Sequence, residues 1–220
     1  MKNLKNIKTI IFDYDGTIHD GLVIYGPAFR LAYNYLKELG FIPKESEISD
    51  EKIGSFLGYS SVDTWSVFRP DLPLEIKNVC SEMITQGLLA FVKMGKARLY
   101  ENSLDMLRSL KDKGYSLVFL SNCKRGYMEA HIKSFGLDKY FDGFYCTEDF
   151  GFTPKHEIFE YIEKEFNGDF AIIGDRFHDI EVALKHNIFA VGCNYGYGSL
   201  NELSDADIVV DKVGEINNIF

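Results

Sequence analysis

The chain has 220 residues, 46% hydrophobic and 26% charged, which suits one globular domain or a core carrying a smaller inserted module. Its 33 acidic residues outnumber 24 basic ones for a net charge of −9, so nucleic acid and anionic membranes are disfavoured as partners. A phosphorylated metabolite would be repelled too, unless a cation or local Lys and Arg reverse the field where it binds.

The first eight residues alternate Lys and Asn with Leu and Ile and hold no apolar run of signal-peptide length. No later segment approaches the roughly 18 apolar residues of a membrane span. Cys80, Cys123, Cys146 and Cys193 are scattered and form no CxxC pair, which predicts reduced thiols, no zinc site and a cytoplasmic location. Residues 8–12 form a β-branched and aromatic run that stops abruptly at Asp13-Tyr14-Asp15-Gly16-Thr17, the pattern of a buried strand ending in carboxylates. His19 and Asp20 fall on the turn beyond it.

From residue 25 to 92 the pattern is helical throughout. Ala28, Leu31, Ala32, Tyr35, Leu36 and Leu39 make one stripe ending at Gly40, and further helices are predicted at 46–56, 62–68 and 74–92. This is far longer than an ordinary crossover and predicts a separate all-helical module. Strand patterns follow at 116–120, 144–146, 170–173, 189–191 and 207–210. Helical stripes lie between most of them: Leu104, Leu107 and Leu110 before Lys113-Gly114, then Ile158, Tyr161, Ile162 and Phe166, then residues 180–186. The alternation predicts βαβ units and a parallel sheet covered on both faces, hence an α/β fold.

Four features close predicted strands, at the sheet edge where ligands bind in such folds. Asp13 and Asp15 sit one residue apart, a costly pairing unless a cation lies between them; taken alone, Asp-Gly-Thr is an ordinary capped turn. Gly174-Asp175 follows the strand at 170–173, and Asp179 lies one helical turn further on, where it could equally be a helix cap. Ser121 and Asn122 end the strand at 116–120, where a hydroxyl and turn N–H groups can hold a phosphate oxygen. Lys155, in Thr153-Pro154-Lys155-His156, opens a helix, a place unfavourable to a cation without an acidic or phosphate partner.

This order of acids, hydroxyl, lysine and acids resembles the haloacid-dehalogenase superfamily of phosphotransferases, through Asp13-x-Asp15-Gly16-Thr17 and Gly174-Asp175 followed by Asp179. The tail from Val191 to Ser199, and Lys52-Ile53-Gly54 in the helical stretch, are similar to the phosphoglycolate-phosphatase-like members. The resemblance implies a Rossmann-like, doubly wound parallel core formed by residues 1–19 and 94–220, with an inserted helical cap at 20–93. It implies that Asp13 attacks phosphorus and forms an aspartyl phosphate, with Asp15 as acid and then base. Mg²⁺ would be held by Asp13, the Asp15 carbonyl and Asp175, with Asp179 acting through water or Lys155. Ser121, Asn122 and Lys155 would hold the phosphoryl oxygens.

Two departures from that pattern stand out. Thr153 occupies the register where a Lys is expected, leaving Lys155 as the nearest candidate, and Glu101-Asn102 replaces the usual Pro-Gly. The expected substrate is a small phosphorylated metabolite, phosphoglycolate or a sugar phosphate, with Lys52, Tyr59 and Arg69 as possible cap contacts. The protein would be a monomer or homodimer. A β-phosphoglucomutase-like mutase, a dehalogenase, a response-regulator receiver and a catalytically idle binding protein are the alternatives.

Overall fold

The computed structural model describes residues 4–220, so the first three residues of the opening segment and of the expected core lie outside it. Six parallel strands form one sheet in the order β3-β2-β1-β4-β5-β6. They are β1 (Ile7–Phe12), β2 (Ser116–Ser121), β3 (Gly143–Cys146), β4 (Asp169–Gly174), β5 (Phe189–Cys193) and β6 (Ile208–Val210). The expected α/β doubly wound core is therefore present, each strand lying within a residue or two of its predicted bounds.

The side-chain period of two in strands sets the two layers. Ile10 and Phe12 of β1, Leu117 and Phe119 of β2, and Ala171 and Ile173 of β4 pack on one face. Ile11, Val118, Leu120 and Ile172 pack on the other. Helices α5 (Ser103–Asp112) and α6 (Arg125–Phe135) cover the first face; α7 (Lys155–Glu165) and α8 (Phe177–His186) cover the second. β1 pairs with β2 on one side and β4 on the other. The connections diverge to opposite faces there, which opens a crevice at the carboxyl end of β1.

Between β1 and α5 lie four helices, α1 (Leu22–Glu38), α2 (Asp50–Gly54), α3 (Ser61–Phe68) and α4 (Leu74–Lys93). They enclose their own apolar cluster, including Ala28, Phe29, Leu36, Phe56, Trp65 and Ile84. Helix α1 starts six residues before the predicted stripe and contains Pro27. The helix expected at 46–56 is shorter, because Ser49 caps it through the Lys52 N–H at 3.1 Å and so sets its start. Asn102, standing where a Gly is usual, adopts φ 67° before α5, a conformation Asn tolerates better than other side chains. No helix among the described residues is long and apolar enough to cross a membrane.

Candidate active site

Asp13 is the first residue beyond β1, and its N–H still bonds the Ile173 carbonyl of β4 at 2.9 Å. Asp175 is the first residue beyond β4, and Asp179 lies in the opening turn of α8. The three carboxylates are buried, and an oxygen from each lies within 4.8 Å of the others. Lys155, at the first position of α7, is only 4% exposed. Its Nζ lies 2.5 Å from Asp13 Oδ1 and 2.8 Å from Asp179 Oδ1. Thr153 instead turns its hydroxyl to the Phe150 carbonyl at 2.6 Å, so Lys155 supplies the cation.

Two of the three buried carboxylates, those of Asp13 and Asp179, thus share one ammonium, and Asp175 has none. Burial pushes the Asp13 carboxyl up from 3.8 to about 7, Lys155 opposing and Asp179 and Asp15 reinforcing the rise. Burial also raises Asp175 well above the ordinary carboxylate range, with Asp13 and Asp179 adding to it. Burial alone would depress the Lys155 ammonium, but Asp13 and Asp179 outweigh it and hold it protonated. Asp13 Oδ2 and Asp175 Oδ1 have no hydrogen-bond partner. Buried carboxylate oxygens left unpartnered in such a cluster are costly unless a cation takes them up. All-oxygen donors suit a hard divalent cation such as Mg²⁺, so the residues present fit that ion.

The walls hold this cluster by close approach. Gly16 has φ 91°, and a side chain there would run into the Asp175 carboxylate. A side chain at Gly198 would strike the Asp175 main-chain carbonyl. Between them the Tyr197 N–H donates to Asp175 Oδ2 at 2.6 Å. The Tyr197 hydroxyl bonds Asp20 Oδ1 at 2.8 Å and accepts the Leu22 N–H at 2.9 Å. One loop after β5 thereby touches both the acids and the start of α1.

Asp15 belongs to a second network. Its Oδ1 lies 2.7 Å from His19 Nδ1 and accepts the Tyr127 hydroxyl at 2.8 Å. Tyr14 and His131 extend the chain, O to Nδ1 at 2.7 Å. Burial would raise the Asp15 carboxyl, but the hydrogen bonds from His19 and Tyr127 pull it below its ordinary value. His131 is driven down to about 3 by burial and by His19, so it is neutral. Tyr127 and His131 come from α6, the one core helix the sequence reading did not single out. Their spacing of four, which puts both on one helix face, was the available signal.

Removing the Tyr127 hydroxyl leaves the ring's packing intact and takes one donor from Asp15. Tyr127→Phe is expected to raise the Asp15 carboxyl from its lowered position, read by NMR titration of that carboxylate. An unaltered titration would reduce Tyr127 to packing.

Ser121 ends β2, is buried, and lines a cavity of about 130 Å³ with Asp13, Asp15 and Asn122. The Asn122 amide donates to the Gly58 carbonyl of the helical insert at 2.7 Å. Arg176, not anticipated from sequence, reaches the same loop. It bonds the Leu57 carbonyl, pairs with Glu202 Oε2 at 2.9 Å and stacks 4.6 Å from the Tyr59 ring centre. Of the expected insert contacts, Tyr59 lines the cavity. Arg69 is engaged by Asp71 and the Phe41 carbonyl, and the Lys52 ammonium sits 4.9 Å over the Phe56 ring.

A family model described as haloacid dehalogenase-like hydrolase matches residues 7–187. The chain belongs to that family. Among curated relatives, a phosphoglycolate phosphatase of Salmonella typhi is 23% identical across 98% of this chain and 93% of its own. A 5′-nucleotidase of Pseudomonas aeruginosa is 24% identical, covering 88% and 86%. A pyrophosphatase of Bacillus pumilus is 25% identical, covering 81% and 79%. Among solved structures, a predicted phosphatase from Clostridium acetobutylicum superposes with a TM-score of 0.83 at 23% identity, covering 97% of both chains. That likeness is one of fold.

Proposed function

We propose that this haloacid dehalogenase-like phosphatase hydrolyses a small phosphomonoester with Mg²⁺, through a phosphorylated Asp13. The observation that carries the reading is the cluster of Asp13, Asp175 and Asp179, two of them paired with Lys155, with two carboxylate oxygens left open. Asp13, Asp175 and the Asp15 carbonyl would hold the ion, Asp179 acting through Lys155. Bound there, Mg²⁺ neutralises the phosphate charge that an acidic site would otherwise repel.

Asp13 attacks phosphorus as the bond to the leaving oxygen breaks, and Asp15 delivers a proton to that oxygen. Asp15 then takes a proton from the water that cleaves the acyl phosphate, which frees Asp13. Lys155 and Ser121 hold the transferring oxygens. The low resting pKa of Asp15 suits the second, basic step. For the first, an arriving phosphate dianion raises that pKa, while His19 and Tyr127 stand within proton-transfer distance.

Residues 20–93 serve in this reading as a cap on the core of 1–19 and 94–220. Their separate apolar cluster supports it, as do the two connections, which run side by side. His19 bridges Leu99, the Asp20 N–H bonds the Arg98 carbonyl, and the Tyr100 N–H bonds the Ile18 carbonyl, both at 2.9 Å. A paired hinge of this kind lets the helices move as one body and exclude water when closed.

A phosphate-release screen over phosphomonoesters with Mg²⁺ tests the proposal. Turnover is expected with at least one substrate, and EDTA is expected to abolish it reversibly. Turnover that survives EDTA undiminished, or dependence on a bisphosphate activator as in a mutase, would sink this reading.

A further inference from the structure

The curated relatives are named for different leaving groups, so the leaving group must be read from this chain's own cavity. Beside Asp13 and Asp15 the cavity runs up into the helical insert. Its lining from the insert includes the apolar side chains Phe56, Trp65, Ile84 and Leu88, the rings of Tyr25 and Tyr59, and hydroxyls such as those of Ser81 and Thr85. No lining residue from the insert carries a charge. None of the insert's basic side chains lines the cavity: among them, Arg30 pairs with Asp50, Arg69 with Asp71, Lys37 bonds the Ser46 carbonyl and Lys77 the Pro70 carbonyl.

Lys124, on the core side, is the one lining cation, and its Nζ faces Glu82 of α4 at 3.9 Å. A carboxylate carried on the leaving group would be desolvated against aromatic and aliphatic carbon and would face Asp15, with Lys124, already opposite Glu82, as its one cationic neighbour in the lining. Burying an unpaired anion is among the costliest events in such a wall. A flat or aliphatic uncharged group loses nothing there, and its polar edge can meet hydroxyls. The Trp65 Nε1–H donates to Ser81 Oγ at 2.7 Å and Thr85 Oγ1 donates to the Ser81 carbonyl at 2.8 Å. The Thr85 oxygen and the Ser81 proton are thereby left available.

We infer that the leaving group of the natural substrate is uncharged and presents an aromatic or aliphatic face to this wall, and that carboxylated phosphomonoesters such as phosphoglycolate are rejected. The inference rests on the phosphatase reading for its chemistry but on the cavity wall for its selectivity.

The test compares kcat/KM, with Mg²⁺, for p-nitrophenyl phosphate, adenosine 5′-monophosphate and phosphoglycolate. At least one of the first two is expected to exceed phosphoglycolate by at least about tenfold. Thr85→Lys, which places an ammonium in the wall, is expected to narrow or invert that ratio. Phosphoglycolate turned over as well as the better neutral substrate would overturn the inference. So would a tenfold loss of phosphoglycolate turnover in Lys124→Ala, which would make Lys124 its carboxylate partner.

A parallel calorimetric titration of Asp13→Asn with p-nitrophenyl phosphate and phosphoglycolate separates selectivity from chemistry. Tighter binding of the aryl ester, with no substrate turned over by wild type, would sink the phosphatase reading and leave standing only the cavity's selectivity for an uncharged group. Equal binding, tighter phosphoglycolate binding, or no binding of either would overturn the inference.

Discussion

Asp13→Asn is expected to lower kcat by at least about 10,000-fold and to leave no acid-stable phosphate on the protein after mixing with substrate. Asparagine keeps the volume and the Ile173 contact of the backbone but offers no carboxylate to phosphorus. In the proposed mechanism Lys155, Asp15 and Ser121 would still bind and polarise the ester, so a residual rate above that of water is compatible with the role. Rapid-quench kinetics with labelled substrate check it, and full activity in the variant would remove Asp13 from the chemistry.

The same variant separates function from stability. Burial raises folded Asp13 from 3.8 to about 7, so between those pH values the folded state binds more protons than the unfolded one. Stability attributable to this group therefore falls as pH rises through that window, the sign opposite to that of a salt-bridged carboxylate. Asp13→Asn does not titrate there and leaves Lys155 its Asp179 partner. In EDTA, the melting temperature of the variant relative to wild type is expected to climb as pH increases from 3.8 to about 7. A saturating divalent ion should cancel the difference, since binding to the folded state alone stabilises it. A gap that shrinks with rising pH would contradict the picture of Asp13 as a buried carboxyl that holds its proton above the ordinary range.

How much of this was legible beforehand depended on the range of the interactions. The strands declared themselves because runs such as Ile10-Ile11-Phe12 and Ala171-Ile172-Ile173 are buried on both faces, and their ends carried the acids. Helix α4 was legible for a similar reason: an uninterrupted amphipathic pattern from Leu74 to Lys93. Helix α6 lacks a leucine stripe and buries Tyr127, Met128 and His131 instead. Those side chains face a polar network beneath Tyr14 and Asp15, so ordinary hydrophobic periodicity passes over them.

Arg176 and Tyr197 were invisible for another reason. Each acts on residues about 120 or 175 positions away, at Leu57 and Leu22, and nothing local in the chain encodes such a contact. Lys155 lay between these cases. Its place at a helix start looked unfavourable, and only the folded arrangement, which surrounds it with Asp13 and Asp179, supplies the compensation.

That compensation can be tested by removing it. Lys155→Met preserves length and apolar stem but leaves Asp13 and Asp179 buried without a cation. Breaking a buried pair from one side typically costs about 3–5 kcal/mol. Here part of that cost is avoided when the stranded Asp13 carboxylate takes up a proton, so the loss in EDTA should be larger at alkaline pH than near pH 3.8, where Asp13 is protonated in the folded wild type too. Activity should fall by about 1,000-fold, because the cation opposing the charge of the transferring phosphoryl group is gone. Lys155→Arg would keep the charge, but its planar fork does not fit the point-charge geometry at 2.5 and 2.8 Å from two carboxylates, so it should recover stability more fully than rate. Denaturation melts across pH, read beside kcat for both variants, decide the matter: if Lys155→Met is as stable at alkaline pH as at acid pH, the ammonium is not what holds the acids together.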